Sequence, residues 1–139
     1  MTLTQEWKMA LMEYGEKVRD LEKNRRFFDG VLGFGKHPSD DPCHEVLDRK
    51  AESLAARAGE GADPEDRENL ILAVLAAAAE YEGPEYARLM LCAAQRHLEP
   101  LIPRMDPAAR AEAARWYEKT YPRRGRMPVQ EALLKKMKK

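Results

Sequence analysis

Apolar residues recur along this chain at steps of three and four, the spacing that places them on one face of an α-helix. Leu3, Trp7, Ala10, Leu11, Tyr14, Val18, Leu21, Arg25 and Phe28 follow that rule while Glu6, Lys17 and Arg19 fall elsewhere, which predicts a first helix from about Leu3 to Phe28. Gly30, Gly33 and Gly35, then Pro38 and Pro42, interrupt the pattern, so Asp29 to Asp41 is predicted irregular. Asp41-Pro42, with Glu45 in the following turn, has the acid-then-proline form of a helix start. The helix it opens carries Val46, Leu47, Ala51, Leu54, Ala55 and Ala58 as its apolar line and ends at Gly59 and Gly61.

The same start recurs at Asp63-Pro64-Glu65 and Asp106-Pro107, predicting helices from Pro64 to about Tyr81 and from Pro107 to about Tyr121. Between them, Gly83-Pro84-Glu85 permits only a tight reversal into a helix from Pro84 to about Leu98. Residues of about 64–98 therefore read as a central antiparallel hairpin, with Ala73, Ala76 and Ala77 facing Ala87, Ala93 and Ala94. Pro100 and Pro103 are expected to break the chain's helical course, Pro122 to stop the fifth helix, and Pro128 to open a short sixth one carrying Val129, Ala132, Leu133 and Met137. No segment alternates with the period of a strand, and no unit repeats at a fixed length as in a solenoid. The expected fold is all-α: a single-domain bundle of five to six helices over residues 1–139, closed by a basic C-terminal segment, 122–139.

Composition agrees with amphipathic helices, since 35% of residues are charged and 44% hydrophobic, so the two populations must sort by face. The most apolar stretch, Leu70 to Ala79, is far short of the ~20 residues a bilayer requires, and the N-terminus lacks the basic start and apolar run of a secretory signal. Cys43 and Cys92 are too few for a disulfide framework. A cytoplasmic protein that does not enter the membrane is expected.

Charge changes this picture most. Residues 1–103 carry 13 Lys/Arg against 20 Asp/Glu, a balance of −7, and residues 104–139 carry 11 against 4, a balance of +7. The neutral total hides a dipolar molecule, and a cationic patch concentrates anions whatever the whole-chain charge. Tyr121, Arg123, Arg124, Arg126, Lys135 and Lys136 are the binding residues this pattern selects, with Tyr121 as a stacking partner for bases and the cations for phosphates. The corresponding partners are RNA or DNA, or an acidic protein surface. Residues 40–68, with ten acids against Arg49, Lys50, Arg57 and Arg67, offer such a surface on a second copy, which makes a homo-oligomer or self-associating structural protein an alternative.

One further segment gathers chemistry. From Gly33 to His44 the chain holds His37, Asp40, Cys43 and His44, whose imidazole, carboxylate and thiolate donors suit zinc, and Cys92 and His97 would complete a ligand set if the fourth helix packed beside them. Adjacent Cys43 and His44 would point about 100° apart on a helix, which opposes their sharing one ion. Cys43 beside His44 at a helix start is also the one nucleophile-and-base pairing available. Gly33-Phe34-Gly35-Lys36 lacks the spacing of a phosphate loop. A metal-dependent or thiol enzyme centred on this loop is thus the runner-up to a non-catalytic binding protein, for which no cofactor is expected.

Overall fold

A computed structural model describes residues 1–31 and 38–139 of the chain, residues 25–31 by backbone alone. Among the described residues there are six α-helices, α1 (Leu3–Val31), α2 (Cys43–Gly59), α3 (Pro64–Glu80), α4 (Glu85–Ala94), α5 (Pro107–Thr120) and α6 (Pro128–Met137), and no strand. Three 3-10 segments join them: Pro38–Asp40, Gln95–Arg104 and Arg123–Gly125.

The acid-then-proline pairs set three of these starts through the mechanism their chemistry implies. Proline fixes φ and needs no donor partner, while the preceding carboxylate accepts from free N–H groups of the first turn. Asp106 Oδ2 accepts from Ala108 N and Ala109 N at 3.2 and 3.3 Å, Asp63 Oδ2 from Asp66 N at 3.4 Å, and Asp41 Oδ1 from Cys43 N at 2.9 Å. Asp66 turns its own carboxylate to another helix: Oδ2 accepts from Leu3 N at 2.9 Å and Oδ1 from Thr4 Oγ1 at 3.1 Å, so α3 caps the start of α1.

Helix α1 packs on both α2 and α3, and α6 packs on the 95–104 segment. Trp7, Tyr14 and Val18 of α1 enter one contiguous core with Leu54 of α2, Leu70, Ile71 and Leu75 of α3, Leu91 of α4, Leu98 and Ile102 of the 95–104 segment, Tyr117 of α5, and Leu133 and Met137 of α6. Each of the fully buried aliphatic side chains contributes roughly 1.5–3 kcal/mol relative to exposure.

Four details differ from the expected pattern. The chain does not break at Pro100: α4 tightens after Ala94 into a 3-10 course that runs to Arg104. Proline has no N–H to donate to the fourth preceding carbonyl, and with three residues per turn Gln95, Leu98 and Leu101 fall on one buried side. On α3 the buried face is Leu70, Ile71, Val74, Leu75 and Ala78, leaving Ala73, Ala76 and Ala77 half-buried, because the larger aliphatics gain more from burial. On α2, Val46 is 66% exposed and His44 takes its place at the head of the line His44, Leu47, Ala51, Leu54, Ala58. Helix α1 also extends to Val31, past Gly30, where irregular chain was expected.

Candidate functional site

The cationic end is built on the 123–125 turn and the exposed side of α6. Arg123 and Arg124 are exposed on that turn, between Pro122 and Arg126, and neither has an ion-pair or hydrogen-bond partner among the described residues. Lys135 is likewise exposed and unpaired there. The other selected residues are committed elsewhere. Arg126 donates from Nε to the Tyr121 carbonyl at 2.7 Å and from Nη1 to Glu131 Oε1 at 3.0 Å, with only 12% of its side chain exposed. Lys136 Nζ lies 3.4 Å from Glu99 Oε1, and Lys138 pairs with Glu118.

Tyr121 does not present a ring to solvent. It is 7% exposed, with its ring centroid 4.9 Å from that of Tyr117, and burial raises its hydroxyl far above the usual range. Stacking on a nucleic-acid base through Tyr121 is therefore ruled out by its place in the core, where an aromatic gains more than at the surface. Tyr117 is buried too and donates its hydroxyl to Gln95 Oε1 at 2.8 Å. Trp116 is half-buried against the core.

Of the Gly33–His44 segment, residues 33–37, His37 included, lie outside the described residues. Asp40 is exposed and Cys43 half-buried. His44 is buried with both ring nitrogens used: Nε2 lies 2.8 Å from the Pro38 carbonyl and Nδ1 2.7 Å from Tyr14 Oη. A carbonyl only accepts, so Nε2 carries the proton and Nδ1 accepts from the tyrosine hydroxyl. His44 thus has no free lone pair for a metal or for the Cys43 thiol. That thiol is pushed up to about 12, first by burial and then by the hydrogen bond and negative charge of Asp41. A helix N-terminus lowers a thiol only where the surroundings do not oppose it, and here they do. Cys92 is fully buried, and Gln130 Nε2 approaches its sulfur at 3.7 Å.

A different set of donors converges. Asp48 and Glu52 stand one turn apart on α2, and His97 reaches them from the 95–104 segment, His97 Nε2 lying 3.0 Å from Asp48 Oδ1. One ligand atom from each of the three lies within 4.8 Å of the others. The i, i+4 spacing of Asp48 and Glu52 is readable in the sequence; that His97 joins them depends on α2 packing against the 95–104 segment. Elsewhere on the molecule, a groove of about 920 Å³ runs between α1 and the start of α2, lined by Met9, Ala10, Tyr14, Val46 and Leu47 and by charged residues including Glu13 and Lys17. The exposed Val46 and Met9 are among its lining residues.

In comparisons with known proteins, no family model matches the chain, and neither a curated protein nor a solved structure matches it. Among the described residues, no helix is long and apolar enough to cross a membrane.

Proposed function

We propose that the protein acts by binding rather than by catalysis, presenting its cationic end to an acidic surface of a partner protein. The observation that carries this reading is the pair Arg123 and Arg124, adjacent, exposed and without internal partners among the described residues, next to the unpaired Lys135. Cations left in solvent retain their full reach toward an incoming anion, whereas Arg126 and Lys136 are largely neutralised by Glu131 and Glu99. The binding residues therefore narrow to Arg123, Arg124 and Lys135. An acidic protein surface fits better than single-stranded RNA or DNA because strand binding draws on exposed aromatic platforms, and Tyr121 is buried. The engaged ring nitrogens of His44 and the raised Cys43 thiol speak against the enzyme reading. The free cysteines fit a reducing, cytoplasmic setting.

The test uses a labelled poly-glutamate peptide and a labelled single-stranded RNA, each titrated with the protein at low ionic strength and followed by fluorescence anisotropy. Saturable binding of the acidic peptide, weakened several-fold when Arg123, Arg124 and Lys135 are replaced by Ala, supports the reading. Tighter binding of the RNA transfers the surface to nucleic acid. No binding of either, or binding indifferent to the triple variant, overturns it. Sedimentation at the same salt reports whether the acidic surface is a second copy of the chain.

A further inference from the structure

Asp48, Glu52 and His97 bring together the three donor groups that a borderline divalent metal accepts, and they do so from two different elements. Zinc binds imidazole nitrogen and carboxylate oxygen at about 2.0–2.2 Å in a tetrahedral arrangement, so ligand atoms of one ion stand about 3.3–3.6 Å apart. The three donors lie within 4.8 Å of one another, with His97 Nε2 and Asp48 Oδ1 already 3.0 Å apart, and rotation of the exposed Glu52 side chain brings the set to that spacing. We infer that these three residues form a binding site for one zinc-like divalent transition-metal ion. This inference is independent of the cationic end.

The supports of the site are rigid. Asp48 follows the buried Leu47 and His97 precedes the buried Leu98, so both backbones are held by the core while the side chains turn toward each other. Their side chains are 22% and 16% exposed, which limits screening by solvent, and Glu52 is exposed, which leaves the remaining coordination positions to water. Two carboxylates and one imidazole give a doubly negative ligand set. Imidazole selects against magnesium and calcium, which take oxygen ligands.

A competing reading needs only the hydrogen bond: His97 and Asp48 tie the 95–104 segment to α2, and no ion is involved. Arg96 separates the two. Its Nη2 lies 3.6 Å from Asp48 Oδ2, in the position of a resident counter-cation that a metal must displace or share with. If the cluster holds a metal, removing that guanidinium tightens binding. A purely structural pair gives no metal response at all.

The experiment is a zinc titration of the full chain by calorimetry, in a Cys43→Ser background that removes the exposed part of the thiol chemistry. Cobalt substitution supplies a second readout, since its visible absorption reports coordination by protein ligands. One saturable site in the micromolar range is expected, weakened about tenfold or more by Glu52→Gln and by His97→Ala. Arg96→Gln should tighten it roughly two- to fivefold, the reach of an exposed ion pair. Glu52→Gln alters an exposed side chain and leaves folding intact, so it keeps the test valid should His97→Ala destabilise the protein. Absence of saturable zinc binding in the micromolar range, or full affinity retained in Glu52→Gln, overturns the inference.

Discussion

Tyr14 and His44 meet in the interior at 2.7 Å, the hydroxyl of α1 donating to Nδ1 of the first turn of α2, while the opposite nitrogen of the same ring donates to Pro38. One imidazole thereby fastens three separate pieces of chain. The rings of Tyr14 and Tyr86 stand edge-on to it at 5.5 and 5.6 Å. Tyr14→Phe removes the donor and leaves a buried lone pair, which costs about 1–3 kcal/mol. His44→Ala strands both the Tyr14 hydroxyl and the Pro38 carbonyl and costs more. Urea unfolding of the two variants checks the order; a Tyr14→Phe protein as stable as the wild type would refute it.

Gln95 and Tyr117 form a second buried polar contact, and they should be strongly non-additive. Gln95 is fully buried, its oxygen accepts from Tyr117, and its Nε2 has no partner among the described residues. Tyr117→Phe leaves the amide wholly unpaired, at a cost of about 1–3 kcal/mol, whereas Tyr117→Phe combined with Gln95→Met replaces both members by apolar groups and recovers most of that loss. A double-mutant cycle in urea measures the coupling. Simple additivity would mean that the hydrogen bond contributes nothing.

Two glycines should respond to alanine with opposite signs. Gly15 lies in the interior of α1 with open space where a Cβ would sit, so Gly15→Ala gains about 0.5–1 kcal/mol by restricting the unfolded chain. Gly61 follows α2 with φ of 111°, a conformation L side chains avoid, and Gly61→Ala loses about 1–3 kcal/mol despite equal space. Thermal midpoints of both variants test this pair.

Stability should fall on both sides of neutrality for reasons traceable to one helix start. The Asp41 carboxyl is held below its usual range, chiefly by the Cys43 N–H it accepts, so its contribution is present above about pH 4 and lost as pH falls through its folded value. The Cys43 thiol is held up to about 12 by burial, so its contribution is present below about pH 8.5 and lost as pH rises toward the folded value. Asp41→Asn should flatten the acid limb of a urea-midpoint profile, and Cys43→Ala the alkaline limb. At pH 7 the folded protein should also react with iodoacetamide at Cys43 far more slowly than the urea-unfolded chain.

The helices of this protein follow from its sequence because their determinants are local. Asp-Pro pairs at 41, 63 and 106 start helices through contacts spanning two or three residues, and apolar spacing marks the core face wherever one aliphatic line is larger than its rivals. His44 itself stands on that spacing, three residues before Leu47. What local pattern leaves open is anything decided by a partner distant in the chain. Tyr121 reads as a residue of the basic end until Tyr117 draws its ring into the core, and Arg126 reads as a free cation until the Tyr121 carbonyl and Glu131 take its donors. Arg123 and Arg124, three and two residues before Arg126, remain in solvent, with no ion-pair or hydrogen-bond partner among the described residues. The meeting of Asp48 with His97, 49 positions apart, exists only because α2 packs against the 95–104 segment. Helix formation is set by neighbours along the chain, whereas the identity of a site is set by which surfaces burial presses together, and that only the tertiary structure decides.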